Sequence, residues 1–289
     1  MKILITGSNG QLGNEIKELA PNYSHFEFLY TDVNELDITN AADVTMYFEY
    51  HNPDVIINCA AYTAVDRAET EEETAFLVNA KASEILARAA ADSGAFMVHI
   101  STDYVYDGRN FRPYVETDKI NPASVYGKSK LAGEEAVKQA GGKAVIIRTS
   151  WLYSAFGNNF VKTMMKYGKE RDSMNVVFDQ AGTPTYAHDL AKVVLDILPV
   201  AMTAEDIEVY HYSNEGVASW FDFAKAIHEI ADISCQVNPI PTSDYPLPAE
   251  RPFYSVLDKT KIKRKFGIEI PYWRDSVKNC IERLLKTTD

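Results

Sequence analysis

Short, continuous runs of apolar residues alternate with helical patterns along the first half of the chain. These runs lack the strict alternation of half-exposed strands, so they predict strands buried on both faces, as in a parallel sheet covered by helices. The predicted strands are Lys2–Thr6, Glu27–Tyr30, Val55–Cys59, Phe96–Ser101 and Ala144–Arg148. The helices predicted between them are Gln11–Leu19, Ala41–Tyr50, Thr74–Ser93 and Tyr126–Gln139. This repetition predicts right-handed crossovers and an α/β fold with a doubly wound parallel sheet.

The pattern changes after about Trp151. Helical spacing predicts the further helices Asn159–Lys169, Ser219–Ala231, Asp258–Phe266 and Trp273–Lys286. The segment Asn238–Pro252 carries five prolines, which predict a loop with extended pieces. Since no linker is evident in the sequence, we expect a smaller second region that is interwoven with the first.

Composition and charge narrow the class of protein. The chain has 289 residues, of which 46% are hydrophobic and 24% charged, as in a globular protein of one large domain or two joined ones. A formal net charge of −12 argues against a nucleic-acid partner and against docking on an anionic membrane. The apolar runs are too short for a transmembrane helix or a signal peptide. We therefore expect a cytoplasmic protein.

The cysteines, histidines and acidic clusters suggest no metal or disulfide chemistry. The three cysteines are scattered without CxxC spacing, so we expect small buried side chains in a reducing compartment. The six histidines form no HxxxH or HxH pair, which argues against a zinc site. An acidic run near residue 70 predicts a solvated face at a helix start. These groups comprise Cys59, Cys235 and Cys280, and Glu69, Glu71, Glu72 and Glu73.

A glycine-rich turn follows the first predicted strand. Gly7, Gly10 and Gly13 are spaced as GxxGxxG before the next helix. Gly7 permits the tight turn, Gly10 lets the backbone approach a pyrophosphate, and Gly13 lets the helix pack closely on the strand. The alternative is a glycine turn of some other α/β protein, but the continuing βαβ pattern favours a dinucleotide in a Rossmann-type sheet. The cofactor-binding residues predicted here are Gly7, Asn9, Gly10, Gln11, Leu12 and Gly13.

The ends of the second and third predicted strands add candidates for cofactor binding. Asp32 would bond the adenosine ribose hydroxyls and repel a 2′-phosphate, unless it merely begins a turn. Since no arginine lies nearby in the sequence, we expect NADH to be accepted at least comparably to NADPH. Asp37 and Ile38 suit the amino group and the ring face of adenine. Ala60 and Ala61 are small enough to leave room for the cofactor.

Tyr126 and Lys130 stand at positions i and i+4 of a predicted helix, one turn apart on the same face. Because an ammonium favours a nearby phenolate, we expect Lys130 to lower the pKa of Tyr126 and make it a usable proton donor or acceptor. Lys130 could also bond the nicotinamide ribose, and the hydroxyl of Thr102 at a strand end could hold the reacting oxygen. The YxxxK spacing alone occurs by chance in many helices, where it has a surface role.

Several segments along nearly the whole chain match one known family. They are GSNGQLG at 7–13, NCAAYTAVD at 58–66, STDYVYDG at 101–108, NPASVYGKSK at 121–130, RTSWLY at 148–153, GNNFV at 157–161, DQAGTPT at 179–185 and RP at 251–252. The chain closely resembles the extended short-chain dehydrogenase/reductases and, among them, the dTDP-4-dehydrorhamnose reductase family. The resemblance implies reduction of the 4-keto group of dTDP-4-dehydro-L-rhamnose with NADPH or NADH. It implies Thr102, Tyr126 and Lys130 as the catalytic residues, the last two also touching the cofactor.

The resemblance also implies a sugar-nucleotide site beside the nicotinamide. It carries over Thr63, Val65, Tyr104 and Trp151 as lining residues, although core packing is the alternative for the tryptophan. Arg251, in the proline-rich loop, would pair with the diphosphate, and an exposed loop charge is its alternative. We expect a dinucleotide-binding domain over 1–150 and about 174–213. The sugar-nucleotide-binding region would comprise about 151–173 and 214–289.

Some members of the resembled family hold Mg²⁺ at a dimer contact through acidic residues. Glu15 matches the first of these, whereas His188 stands at the mid-chain position and Asp189 is one residue out of register. Because Mg²⁺ prefers oxygen ligands, we expect no metal here. We expect a monomer, or a homodimer that forms without divalent ions.

Two alternatives of different classes stay open at this point. One is another nucleotide-sugar reductase, or an epimerase, of the same superfamily. The other is a non-catalytic regulatory subunit that binds NADP(H) and a partner enzyme. The presence of all three residues of the triad favours an enzyme.

Overall fold

The computed structural model describes residues 1–286, which form twelve strands and eleven α-helices. The strands are β1 Lys2–Thr6, β2 Glu27–Tyr30, β3 Val55–Asn58, β4 Phe96–Thr102, β5 Ala144–Thr149, β6 Leu152–Tyr153, β7 Ser173–Val177, β8 Ala181–Gly182, β9 Thr185–Tyr186, β10 Glu208–His211, β11 Ala218–Ser219 and β12 Gln236–Ile240. The helices are α1 Gln11–Leu19, α2 Ala41–His51, α3 Val65–Ala68, α4 Glu72–Phe76, α5 Ala82–Ser93, α6 Val125–Gln139, α7 Phe160–Glu170, α8 Ala187–Ala201, α9 Trp220–Ile230, α10 Thr260–Phe266 and α11 Trp273–Lys286.

The central sheet has six parallel strands in the order β10, β5, β4, β3, β1, β2. The chain leaves β1 in one direction to form β2 and then returns past β1 to form β3. The reversal lies between β1 and β3, and ligands of open α/β sheets bind in the crevice at the carboxyl ends of such strands. The predicted doubly wound parallel sheet is confirmed.

Both faces of this sheet are covered by helices, which explains why its strands read as continuous apolar runs. Ile3 and Ile5 of β1 pack in a core with residues of α1 and α8. Leu4, between them, points to the opposite face and packs with residues of α2 and α5. The sequence pattern predicts neither α8 nor the short edge strand β10.

The helix predicted over Thr74–Ser93 is interrupted. A π-helical turn at Leu77–Lys81 separates α4 from α5. The side chain of Asn79 is buried. Its amide oxygen accepts from the backbone N–H of Tyr62 at 2.8 Å, and its amide nitrogen donates to the backbone carbonyl of Tyr62 at 3.0 Å. Turns of this kind often occur at functional sites, and this one anchors the segment that precedes Thr63.

The second half of the chain builds a core of its own. Helices α7, α9 and α11 bury large side chains such as Phe223 and Trp273 together with those of β7 and β12. β7 and β12 form a parallel pair, so part of the segment predicted as a loop with extended pieces is a paired strand. α8, in contrast, packs on α1 in the core of the central sheet.

We propose that the dinucleotide-binding domain comprises 1–150 together with α8 and β10. The smaller sugar-nucleotide-binding region would comprise the rest, including β7, because that strand packs in the second core. The predicted region reaches residue 289, and its last three residues lie outside the described ones.

The helices and the cysteines of the described residues bear on two predictions made from composition, namely the lack of a transmembrane helix and the burial of the cysteines. Within 1–286, none of the helices combines the length and the apolar character needed to cross a membrane. Cys235 and Cys280 are buried, Cys59 is half-buried, and all three are free thiols.

Candidate active site

A long cleft runs along the carboxyl ends of β1, β3, β4 and β5. Its first part has a volume of about 440 Å³ and is lined by the glycine turn and by the segments that follow β2 and β3. Its second part, of about 610 Å³, continues past the ends of β4 and β5. The two parts share Gly10, Cys59 and Ala61, so they form one continuous site at the switch point of the sheet.

The glycine turn has the backbone geometry expected of a pyrophosphate site. Gly7 has a φ of 63°, and a Cβ on it would lie 2.6 Å from the Cα of Ala60. A Cβ on Gly13 would lie 2.5 Å from the Cα of Ser8, so the close packing of turn and helix requires glycine there. No side chain within 1–286 caps the first turn of α1. Its N–H groups are therefore available to an anion.

The first part of the cleft brings together most of the residues predicted to bind adenosine. Asp32, Asp37 and Ile38 line it with the glycine turn, as do Ala60 and Ala61. The carboxylate of Asp32 accepts the backbone N–H of Asn9 at 3.0 Å, so it also holds the turn in place. Lys17 of α1, which the sequence analysis did not select, donates to the side-chain oxygen of Asn9 at 2.8 Å. Lys17 therefore places a positive charge beside the glycine turn. The sequence analysis considered only arginine and so did not find this cation.

Thr102, Tyr126 and Lys130 line the second part of the cleft together. Thr102 ends β4, and Tyr126 lies in the first turn of α6, where Ser124 caps the helix through the N–H of Gly127. Lys130 follows one turn later, and its Nζ donates to the carbonyl oxygen of Ile100 at 2.7 Å. That bond fixes the ammonium against β4 and directs it toward the cleft that the tyrosine also lines.

The protonation states differ from the prediction. Burial raises the pKa of Tyr126 to about 12, although the Thr102 hydroxyl acts in the opposite direction. The expectation of a lowered pKa for Tyr126 is therefore wrong, because removal from water penalises the phenolate. Burial lowers the pKa of Lys130 to about 8. Near neutral pH the site holds a protonated phenol and an ammonium.

A buried carboxyl group that the sequence analysis missed lies next to the triad. The hydroxyl of Thr102 donates to Oδ1 of Asp103 at 3.0 Å. Burial raises the pKa of Asp103 to about 7. The orientation of the threonine hydroxyl is therefore coupled to the ionisation of its neighbour.

The predicted lining of the sugar site is largely assembled. Thr63, Val65, Tyr104 and Trp151 all border the second part of the cleft. The ring of Tyr104 meets that of Tyr126 edge to face, with 5.4 Å between centroids.

Trp151 is held in an unusual conformation. Its φ is 48°, in the left-handed region that costs a residue of this size about 1–3 kcal/mol. Its indole stacks on that of Trp220 with centroids 3.6 Å apart and planes 9° from parallel. Gly182 lies so close to the ring that a Cβ there would approach it to 2.6 Å. Stacking and packing therefore hold the strained backbone, and Trp220 is a residue that sequence reasoning missed.

Arg251 lies beside the cleft rather than in its lining. It borders a small recess next to Tyr104. Its Nη2 pairs with Oδ2 of Asp66 at 2.7 Å, and Oδ1 of the same carboxylate accepts the N–H of Ala249 at 3.2 Å. The proline-rich loop is thereby tied to α3, one residue after Val65. The prediction that Arg251 binds a diphosphate stays a prediction.

The sequence of the whole described chain is similar to that of a known protein family. The family model of the RmlD substrate binding domain matches residues 1–286. The chain belongs to this family. A dTDP-4-dehydrorhamnose reductase from Aggregatibacter actinomycetemcomitans is 43% identical over 286 residues, which are 96% of this chain and 97% of that protein.

Solved structures agree with the assignment to the RmlD family. A dTDP-4-dehydrorhamnose reductase from Clostridium acetobutylicum has a TM-score of 0.94 and 45% identity, over 99% of this chain and 100% of that one. The enzyme from Bacillus anthracis in complex with NADP has a TM-score of 0.93 and 39% identity, over 98% and 99% of the two chains. The resemblance inferred from the sequence is confirmed.

The Mg²⁺ site expected of some RmlD-family members does not fit the residues present here. Oε2 of Glu15 accepts from Nη1 of Arg283 at 2.7 Å and lies 3.1 Å from Nδ1 of His188. Oε1 accepts from the hydroxyl of Ser154 at 2.5 Å. A guanidinium, an imidazole and a hydroxyl thus contact the two oxygen atoms of the carboxylate. The described residues contain no cluster suited to a metal. That the chain needs no metal stays a prediction, which this contact set supports.

Burial alone would raise the pKa of Glu15, but hydrogen bonds from His188, Ser154 and Arg283 lower it below its ordinary value. The carboxylate therefore stays charged inside the protein. It joins α1 to α8 and α11 within the chain. Asp189 points elsewhere and accepts from Ser276 at 2.5 Å.

The acidic run near residue 70 is not one solvated face, so that expectation is wrong in part. Oε1 of Glu69 accepts the backbone N–H of Val125 at 2.9 Å, at the start of the helix that carries Tyr126. Glu71 accepts from the hydroxyl of Tyr62 at 2.6 Å. Only Glu72 and Glu73 are exposed. The helix dipole favours such a carboxylate at the start of α6.

Other residues line the second part of the cleft that the sequence analysis did not select. The segment 157–159 lies in one of the motifs that match the family. Asn159 donates to the side chain of Gln11 at 3.0 Å, which joins this loop to the glycine turn. The unselected lining residues are Ile100, Ser101, Asp103, Thr149, Ser150, Leu152, Gly157, Asn158 and Asn159.

Proposed function

We propose that this chain reduces the 4-keto group of dTDP-4-dehydro-L-rhamnose to give dTDP-L-rhamnose, with NADPH or NADH as the reductant. The observation that carries the proposal is the single cleft that joins the glycine turn to Thr102, Tyr126 and Lys130. Full-length relatives that bear the name dTDP-4-dehydrorhamnose reductase support it. No observation on this chain favours the epimerase or the regulatory subunit.

The residues of the cleft suit a nicotinamide dinucleotide. The uncapped N–H groups of α1 would bind the pyrophosphate, and Asp32 and Ile38 would flank the adenosine. The ammonium of Lys130 would bond the nicotinamide ribose. When bound, the reduced nicotinamide supplies the hydride for C4 of the sugar.

Tyr126 would donate the proton that the reduction requires. The raised pKa keeps the phenol protonated at neutral pH, as a general acid must be before it acts. The proton passes from the phenol to the oxygen at C4 as that oxygen gains negative charge. An alkoxide is a much stronger base than a phenolate, so a pKa of about 12 suits the reducing direction.

Thr102 and Lys130 would support this transfer. The threonine hydroxyl would hold the carbonyl oxygen at the end of β4, once its proton turns from Asp103 toward the substrate. The ammonium would stabilise the phenolate that Tyr126 leaves behind, since opposite charges attract strongly in a site that excludes water. This order of steps needs both groups protonated at the start.

The sugar nucleotide would lie along Thr63, Val65, Tyr104 and Trp151, with the indole against an apolar face of the sugar. Its diphosphate would compete with Asp66 for the guanidinium of Arg251. Binding would therefore remove one of the two bonds that tie the proline-rich loop to α3 and leave the bond from the N–H of Ala249.

The test is an assay that starts from dTDP-glucose and uses a dehydratase and an epimerase to supply the keto sugar. We expect loss of the absorbance of the reduced nicotinamide, and dTDP-L-rhamnose as the product by NMR. A matched reaction with a UDP-linked keto sugar tests whether the enzyme distinguishes thymine from uracil in the nucleotide. Tight cofactor binding without turnover of either sugar would contradict the proposal and support a regulatory subunit.

We further propose that the chain acts in the cytoplasm, as a monomer or homodimer. Sedimentation of the purified protein with and without a chelator would check the second statement. A dimer that dissociates when divalent ions are removed would contradict it.

A further inference from the structure

An ion pair that the reduction does not use lies behind the triad. The side chains of Glu134 on α6 and Arg148 on β5 are 0% and 1% exposed. Nε and Nη2 of the arginine donate to the two carboxylate oxygens at 2.8 and 2.6 Å. Withdrawing two charges from water is costly, and apolar side chains of similar volume often stabilise a core as well or better. The pair therefore calls for a reason other than stability.

The carboxylate lies one turn beyond Lys130, on the same face of α6. Neighbouring residues of β4 hold the two side chains. The carbonyl of Ile100 accepts from Nζ of Lys130 at 2.7 Å, and the hydroxyl of Ser101 donates to Oε1 of Glu134 at 2.6 Å. Ammonium and carboxylate thus lie along one strand, in an interior where charges interact strongly.

Three of the remaining titratable groups around Lys130, namely Cys59, His99 and Tyr126, carry little charge near neutral pH. Burial raises the pKa of the Cys59 thiol, after β3, to about 12. Burial also lowers the pKa of His99, on β4, well below its usual value. Tyr126 is a neutral phenol. Burial raises the pKa of Asp103, which follows β4, to about 7, so this carboxyl is partly ionised, and its charge acts on the phenol of Tyr126. The full charges behind the ammonium are those of the Glu134–Arg148 pair, with the carboxylate on the same helix face.

We propose that Glu134, held in place by Arg148, is a positioning residue that keeps Lys130 in its ammonium form against β4. The inference rests on the proposed reduction, in which the ammonium stabilises the phenolate of Tyr126. Burial lowers the pKa of Lys130 to about 8, and Glu134 opposes that effect. Because that value is close to neutrality, a modest loss of negative charge would leave a large fraction of the lysine neutral.

Arg148 is itself fixed, which makes it a suitable support. Its Nη1 donates to the hydroxyl of Tyr106 at 2.7 Å, and that hydroxyl lies 2.8 Å from Nε2 of His211. Burial lowers the pKa of His211 to about 3, so this imidazole adds no charge at neutral pH. The carboxylate is therefore held at a fixed place one helical turn from the lysine.

The test compares Glu134→Gln with Glu135→Gln, which makes the same chemical change at an exposed position of the same helix. Glu135 pairs with Lys138 on the surface, at 2.7 Å. The ammonium is present below its pKa and lost as the pH rises through it. We expect Glu134→Gln to move the alkaline limb of kcat about one pH unit lower, and Glu135→Gln to leave it in place.

The affinity for NADH is measured across the same pH range without sugar, so the result does not depend on turnover. As the pH rises, we expect NADH affinity to decline in both proteins. In Glu134→Gln the decline should begin at a lower pH than in the wild type. If the wild type fails to reduce the keto sugar, the proposed reduction fails, while this measurement still decides the role of Glu134.

Because Glu134→Gln leaves the Arg148 charge buried and unpaired, that variant can fail to fold. The double variant Glu134→Gln/Arg148→Met removes both charges and keeps the core apolar. We expect it to fold and to shift the limb in the same direction by a smaller amount. Folded variants whose pH profiles for kcat and for NADH match the wild type, with only a changed Tm, would overturn the proposal.

Discussion

The two halves of the cleft are built in different ways. The cofactor half is built mainly from short segments that follow β1, β2 and β3, and its glycine turn depends on backbone positions that admit no Cβ. The sugar half is assembled from side chains that are far apart in the chain. There Trp151 stacks on Trp220, and Arg251 pairs with Asp66.

This difference has consequences for how each half tolerates change. A backbone site is damaged by the addition of a single methyl group and is insensitive to most side-chain polarity. A site made of paired side chains loses affinity when one partner is replaced, while the backbone stays in place. The proposed catalytic residues stand between the halves. A change at Tyr126 should spare the binding of both ligands, whereas a change at Lys130 should also weaken cofactor binding.

The largest effect is expected at the boundary between the halves. Tyr126→Phe keeps the ring and removes the proton donor, so we expect turnover to fall by about 10²–10⁴. NADH affinity, measured by fluorescence titration, should be nearly unchanged. Tyr272→Phe, at a half-exposed ring elsewhere, is the control. A variant that keeps a tenth of the activity would show that another group donates the proton.

In the cofactor half, Gly13→Ala would place a methyl group 2.5 Å from the Cα of Ser8. The turn must move to relieve this overlap, so we expect NADH affinity to fall by at least about tenfold, or about 1.4 kcal/mol. Gly141→Ala is the control, because that glycine has a φ of 77° and no atom near its Cβ position. It should cost about 1 kcal/mol of stability and leave NADH affinity unchanged. Equal NADH affinities in the two variants would be evidence against a backbone-built site.

In the sugar half, Arg251→Gln removes the guanidinium that we expect to bind the diphosphate. We expect KM for the sugar nucleotide to rise about tenfold, with NADH affinity unchanged. Arg109→Gln is the control, since that arginine is exposed and lies 3.5 Å from Glu250 in the same area. An unchanged KM in Arg251→Gln would leave the Asp66 pair as the only role of this side chain.

The choice of cofactor tests a side chain within the cofactor half. Asp32→Ala removes a negative charge, so we expect the ratio of kcat/KM for NADPH to that for NADH to rise about five- to tenfold. The ratio is the useful quantity, because the loss of the bond to the N–H of Asn9 affects both cofactors alike. A wild-type enzyme that uses NADPH a hundredfold better than NADH would refute the expected effect of Asp32.

The smallest effect is expected from metal removal. Arg283 and His188 already satisfy Glu15, so we expect EDTA to change the activity less than about threefold, or about 0.7 kcal/mol in the barrier. Glu15→Gln should change it by no more than this. Size-exclusion chromatography with and without EDTA checks any dimer. Loss of activity and dimer on chelation, with recovery on adding Mg²⁺, would reveal ligands other than this cluster.

Local patterns sufficed for the parallel sheet, for the glycine turn and for the placement of Tyr126 and Lys130 on one helix face. Buried parallel strands need continuous apolar runs, a tight turn needs glycine, and a helix brings positions i and i+4 onto one face. These requirements act over a few residues, so the glycine turn at 7–13 and the pairing of Tyr126 with Lys130 can be predicted from the sequence. Pairing over long distances is not, and β12 was therefore expected to lie in a loop until β7 provided its partner.

The charges and contacts of the site depended on the tertiary structure. The pKa of Tyr126 rises rather than falls, because burial outweighs the favourable neighbours that sequence spacing suggests. Arg283 reaches Glu15 across 268 positions of the chain, and Asp66 and Arg251 meet across 185. Desolvation and the meeting of distant side chains are properties of the packed molecule, since both depend on which groups exclude water from one another. The chemical groups can therefore be read from the chain, whereas their protonation and partners are set only when the two cores pack around the cleft.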